Sequence, residues 1–177
     1  MGASAIPAGV AAYTRTQDST IRLTDGLVDK VKARLPNYSK DLPPRRNMFG
    51  EPIVLEGGLG PDMMSPIYQS KKKNNAVVDE MINNKVDIGM PRFTMDGVEL
   101  STIQYDRYVL LSAGEKMPMS LESQLSKLIK SNMYKQGASG KDGSKAFMIE
   151  SYISDYRSAA KQQLLEENKL LCQKLSN

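Results

Sequence analysis

The residues that most often do chemistry are scarce in this chain and badly spaced for it. There is no histidine, and the single cysteine, Cys172, lies near the C-terminus. A Ser-His-Asp or Cys-His nucleophile is therefore excluded, as are a disulfide within one chain and zinc or haem sites of the usual kinds. Carboxylate or lysine chemistry remains open in principle. Glu166-Glu167 and Asp79-Glu80 are acidic neighbours. Adjacent positions on a helix point in different directions, so neither pair makes a general acid–base dyad, and both read as solvated faces. Gly57-Gly58-Leu59-Gly60 lacks the Gly-x-Gly-x-x-Gly spacing and the Lys-Ser/Thr of a phosphate loop, and reads as a bend. Gly137-Ala138-Ser139-Gly140-Lys141-Asp142 follows no strand and fails the same test. No acid, base, nucleophile or cofactor cradle assembles, so neither an enzyme nor a cofactor is expected.

Cationic groups remain. The formal charge is +4, and the longest basic run is Lys71-Lys72-Lys73, which reads as a solvated turn. Arg45-Arg46 could grip a phosphate or carboxylate, or simply solvate an extended segment; the residues leave both open. Tyr105, Tyr108, Tyr152 and Tyr156 stand at helical spacings and read as core or interface residues, not as base-stacking platforms. Cys172 reads as a small buried or interfacial residue.

The elements that must position these groups follow from pattern and punctuation. Apolar residues make up 40% of 177, with three Phe, no Trp and eleven Met. That is thin for a self-sufficient core and suits adaptable contact surfaces. No apolar run approaches the ~20 residues of a membrane span. Residues 1–14 carry neither a basic n-region nor a long apolar h-region, so no signal peptide is expected. Pro7 suits the first turn of a marginal helix over 7–18. Thr24 or Asp25 caps an amphipathic helix bearing Leu27, Val28, Val31 and Leu35, which Pro36 ends.

Between Pro36 and Ser70 stand six prolines and four glycines. Within it, Leu42-Pro43-Pro44-Arg45-Arg46-Asn47-Met48-Phe49-Gly50-Glu51-Pro52-Ile53 cannot be helix, and a central strand there would lose ladder bonds. The stretch also carries more apolar residues than a linker. It reads as an ordered arm wrapped on a surface, with Leu42, Phe49 and Ile53 as contacts and Arg45 and Arg46 as forked donors.

Asn74 or Asn75 caps a helix over 74–84. Phe93-Thr94-Met95, Asp96-Gly97 and Val98-Glu99-Leu100 predict a hairpin with a type I′ turn. Ser101-x-x-Gln104 is a capping box that opens a helix to about Ser112, with Ile103, Tyr105, Tyr108, Val109 and Leu111 as its apolar surface and Gly114 as its stop. Ser120 caps the next helix, with Leu121, Leu125, Leu128 and Ile129 on one face. A polar loop runs from Gly137 to Gly143. From Ser144 a final helix carries Ile149, Ile153, Tyr156, Ala160, Leu164, Leu171 and Leu175 in one stripe. The expected fold is mainly α: short helices, an extended Pro/Gly-rich arm, one small β-hairpin and a C-terminal helical bundle. Its segments are N-terminal helices over 1–35, the arm over 36–73, a short helix and hairpin over 74–100, and a helical domain over 101–177.

In order, several of these pieces resemble the C-terminal region of the large internal, ejected virion proteins of tailed bacteriophages. Lys40 to Ile53 resembles the family's "leucine-proline-x-arginine-x-aspartate-x-phenylalanine-glycine" segment, with Asn47 in place of the acidic residue. Ser65-Pro66-Ile67 resembles the serine-proline element that follows. Gly97 to Tyr105 is similar to a "leucine-threonine-x-x-glutamine-tyrosine" helix start, and Asp155-Tyr156-Arg157-Ser158-Ala159-Ala160-Lys161 to a closing "tyrosine-arginine-x-x-alanine" helix. The similarity spans about residues 20 to 170. Those proteins are much longer, and their enzymatic domains lie outside this region. The resemblance implies a virion structural protein at the capsid interior, neck or portal, with a part in assembly and in DNA ejection. Its expected partners are capsid, neck or portal proteins and copies of itself. The expected docking residues are Leu42, Pro43, Pro44, Arg45, Arg46, Phe49, Gly50, Ser65, Pro66 and Ile67. Two other roles compete: a basic protein on packaged DNA, through Arg45, Arg46 and Lys71 to Lys73, and a membrane-active ejection factor. The C-terminal helix lacks the strongly basic face of the latter, and membrane contact is not expected of this segment alone.

Overall fold

A computed structural model describes residues 21–24, 39–54, 75–86 and 88–169. The helices expected over 7–18 and before Pro36, the Gly57–Gly60 bend, Ser65-Pro66-Ile67, Lys71 to Lys73, Leu171, Cys172 and Leu175 lie outside these residues. The described chain is mainly α, with one two-stranded antiparallel sheet. It contains α1 (Ala76–Asn83), β1 (Thr94–Met95), β2 (Val98–Glu99), α2 (Thr102–Ser112), α3 (Leu121–Lys130), α4 (Asn132–Lys135) and α5 (Ser144–Glu167), with a 3₁₀ turn at Ser39–Asp41.

Local chemistry sets most element ends. The Asn75 side chain accepts from Val77 N and starts α1. Ser101 and Gln104 satisfy each other's backbone amides in a full capping box at the head of α2. At the other end of α2, Gly114 N donates to Leu111 O and Glu115 N to Leu110 O, the paired bonds of a Schellman stop. Gly114 sits at φ +94°, and a Cβ there would lie 2.8 Å from the Tyr156 ring, so this position requires glycine on both counts. Asp96 and Gly97 both have positive φ, 48° and 85°, the type I′ signature expected of Asp-Gly. Thr94 pairs with Glu99 and Met95 with Val98.

Two apolar cores form, and α5 runs through both. Ala160 and Leu164 of α5 join Tyr105, Val109 and Leu111 of α2, Met95 of the hairpin, and Leu23. Ile149 and Ile153 join Val77 and Met81 of α1, the Leu121, Leu125 and Leu128 face of α3, Tyr134 of α4, and Met48 from the arm. Met90 packs against both cores.

Two expectations about these helices fail. Ile103 does not serve the apolar surface of α2; it is 72% exposed, because Tyr105 and Val109 already fill the face turned to α5. The C-terminal stripe is not one unbroken helix. Asn168 leaves helical geometry at φ −124°, ψ 79°, and α5 ends at Glu167. Asn is at ease in such caps because its side chain competes for nearby backbone groups. Here its Oδ1 accepts from Gln104 Nε2. The four-residue α4, capped by Ser131, has too short a pattern to stand out in the sequence.

Candidate docking site

The proline-rich arm folds back on itself and then onto the helices. Ile21 N donates to Ile53 O, Arg45 N to Ile21 O, Leu23 N to Pro43 O, and Ile53 N to Arg45 O. These bonds tie residues 21–23, 43–45 and 53 into a small ribbon with antiparallel bridges at Arg22–Pro44 and Arg46–Pro52. Prolines fit such isolated bridges because they need supply no amide donor.

Asn47 closes the tip of this fold. It is 1% exposed, and its Oδ1 accepts from both Phe49 N and Glu51 N while its Nδ2 donates to Glu51 Oε2. Gly50 N donates back to Asn47 O, with Gly50 at φ +81°. A Cβ on Gly50 would stand 3.1 Å from Ala113 Cβ, so the missing side chain also lets the tip lie on the end of α2.

Arg46 pins the assembly. Its Nε donates to Asp106 Oδ1 of α2 at 2.7 Å and its Nη1 to Gly50 O at 2.9 Å. The two side chains are 17% and 16% exposed, so the pair is only partly screened by water. Leu42, Met48 and Ile53 are buried, and Phe49 packs half-buried against the α3-side core. Pro43, Pro44, Arg45 and Gly50 are half-buried at the surface.

Of the ten expected docking residues, Leu42 to Gly50 come together in this one element, while Ser65, Pro66 and Ile67 lie outside the described residues. Met48 and Phe49 pack into the core built by α1, α3, α4 and α5, while Pro43, Pro44 and Arg45 stay half-buried and Lys40, Asp41 and Pro52 are exposed. Sequence reasoning missed Asn47 as the turn's organiser, although an Asn two residues before Phe49 and three before Gly50 is a legible Asx-turn signal. It also missed Asp106, sixty residues from Arg46, for which no local signal exists.

A second polar cluster binds the ends of the helices. Arg107 donates to both carboxylate oxygens of Glu167 and to Glu115, and Lys116 also reaches Glu167. The Arg107 and Lys116 bonds hold the Glu167 carboxyl at about 2, below its ordinary 4.5. Near the Gly137–Gly143 loop, buried Asn84 donates to Glu80 and accepts from Gly140 N. Tyr134 OH donates to the same Glu80 carboxylate; burial, then that bond, pushes the phenol above its ordinary value.

Among the described residues no group of Cys, Asp and Glu is placed to hold a metal ion, and no helix is long and apolar enough to cross a membrane. No protein-family model, curated protein or solved structure matches the chain.

Proposed function

We propose that this chain is a bacteriophage virion structural protein, an internal, neck or portal-associated component that acts through protein–protein contacts and not by catalysis. The observation that carries the reading is spatial convergence of the segments that resemble the phage proteins. Arg46 of the Lys40–Ile53 segment bonds Asp106, one residue beyond the Gly97–Tyr105 segment. Lys161 of the Asp155–Lys161 segment reaches Asp96, one residue before the Gly97–Tyr105 segment, and Tyr108 OH donates to Arg157 O. Three stretches far apart in sequence thus build one unit, as parts of a single inherited element would. Pro43, Pro44 and Arg45, half-buried at its surface, are the part offered to capsid, neck or portal proteins or to another copy of the chain. Packaged DNA is the lesser reading, because the Arg46 fork is already engaged by Asp106 and Gly50 O.

Crosslinking mass spectrometry on purified virions tests this. Peptides of the chain should co-purify with particles and crosslink, from exposed Lys40 of the arm, to a structural protein of the capsid, neck or portal. Abundance in the infected-cell lysate with none in the particles overturns the reading.

A further inference from the structure

Arg157 lies half-buried on α5 in a cleft of about 440 Å³ between α5, α2, the Gly89–Arg92 segment and the hairpin. Its Nη2 donates to Gly89 O, and among the described residues it meets no carboxylate. The groups facing it are the Tyr105 and Tyr108 phenols. Burial raises both phenols above the ordinary tyrosine value, so they stay neutral and supply no counter-charge. Burial likewise draws the guanidinium below its ordinary value. A half-buried guanidinium with one carbonyl partner and no carboxylate among the described residues has donors to spare, and it uses them best on a carboxylate gripped by two parallel bonds.

The rest of the cleft agrees with that demand. Lys161, one helical turn along, and Arg92 add positive charge, while Asp96, the one carboxylate among the described lining residues, is paired with Lys161 at 2.6 Å. Met90, Pro91 and Met95 supply apolar walls. A single cleft with apolar walls and two or three cations suits one carboxylate on a short peptide segment better than the continuous phosphates of a duplex, which need a stripe of cations.

The geometry points to a carboxylate-binding seat at Arg157 and Lys161 that takes a glutamate or aspartate side chain from an acidic segment of a partner protein. It deepens the protein-contact reading above and rests on it for the kind of partner.

The test is direct binding to the full chain, independent of whether virions contain it. A capped peptide with one glutamate between two leucines, and its glutamine counterpart, are titrated while the Arg157 Nε–H resonance is followed. The glutamate peptide should shift that resonance saturably and the glutamine peptide should not. Arg157→Gln should abolish the binding. Asp96→Asn, which keeps a residue suited to the type I′ turn and releases Lys161, should tighten it several-fold; because it leaves the core alone, it reads the site even if Arg157→Gln fails to fold. Equal responses to the two peptides, or an Asp96→Asn variant that binds no better, overturn the seat. A short DNA duplex that shifts Arg157 where the glutamate peptide does not overturns it in favour of phosphate. Failure here with crosslinks still found in virions removes the seat and leaves the virion role standing.

Discussion

Asn47 organises the tip of the arm with a neutral amide, where a carboxylate could do only part of the work. Its Oδ1 accepts two backbone amides, a task a carboxylate oxygen performs equally well, but its Nδ2 adds a bond to Glu51 that no carboxylate can make. Asn47→Ala should therefore strand two buried donors and cost about 1–3 kcal/mol in denaturant unfolding. Asn47→Asp should cost less than alanine yet more than nothing, because it keeps the acceptor and sets a second carboxylate beside Glu51. Adding Glu51→Gln to Asn47→Asp should recover most of that loss by restoring a donor across the gap. An aspartate variant as unstable as alanine, unrelieved by Glu51→Gln, would mean the turn depends on packing and not on this hydrogen-bond set. Ser112 is the opposite case: its buried Oγ has no partner among the described residues, and nothing in the structure explains why a hydroxyl stands there.

At the scale of elements, α5 is held at its C-terminal end by charge and along its length by packing. Glu167 takes both Arg107 and Lys116, which lie on α2 and just beyond its stop. Because its folded pKa is depressed from 4.5 to about 2, the stabilisation is fully present above 4.5 and drains away as pH falls from there through about 2. Thermal melts of wild type and Glu167→Gln should thus differ most above pH 4.5, converge as the pH drops towards 2, and differ less in high salt, since the Glu167 side chain is a quarter exposed. A gap that stays constant across this range would assign the effect to side-chain packing. The same elements separate what the sequence discloses from what it conceals. Caps at Asn75, Ser101 and Ser120, the Gly114 stop and the Asp96-Gly97 turn are legible because each is decided by neighbours within four residues. The fold-back of the arm is not, since it depends on Ile21 and Leu23 meeting residues twenty and more positions away. Nor is the end of α5: the apolar stripe continues past Glu167, and the bonds from Arg107, Lys116 and Gln104 mark where the helix yields. The Arg157 seat is hidden for the same reason. One arginine in a helix says nothing until the hairpin and Gly89 close around it.

Over the whole molecule the decisive matter is whether the arm is ordered by this chain or by its assembly. A thin apolar composition and a proline-rich middle argue for assembly; the pinning of Leu42, Met48 and Ile53 beneath the chain's own surface argues that residues 39–54 need no partner. The two views make opposite claims about amides that are bonded only within the arm ribbon, those of Arg45, Asn47 and Ile53. In the isolated chain these should exchange slowly, close to the amides of α3 and α5, because the ribbon closes on α2 through Arg46 and Asp106. Arg46→Ala removes that latch at a cost of about 1.5–3 kcal/mol for a charge-assisted bond and should speed exchange at those three amides while leaving α3 unchanged. Asp106→Ala should do the same, and the double variant should cost less than the sum of the two, since both remove one interaction. Fast exchange of the three amides in the wild-type chain alone, beside a protected α3, would instead make the arm a segment that orders only on its partner. Such a segment would give up ordering free energy on docking, so its affinity would be lower for the surface it covers and more easily reversed. A latched arm is already formed before any contact, so the docking proposed above would carry no cost for ordering it.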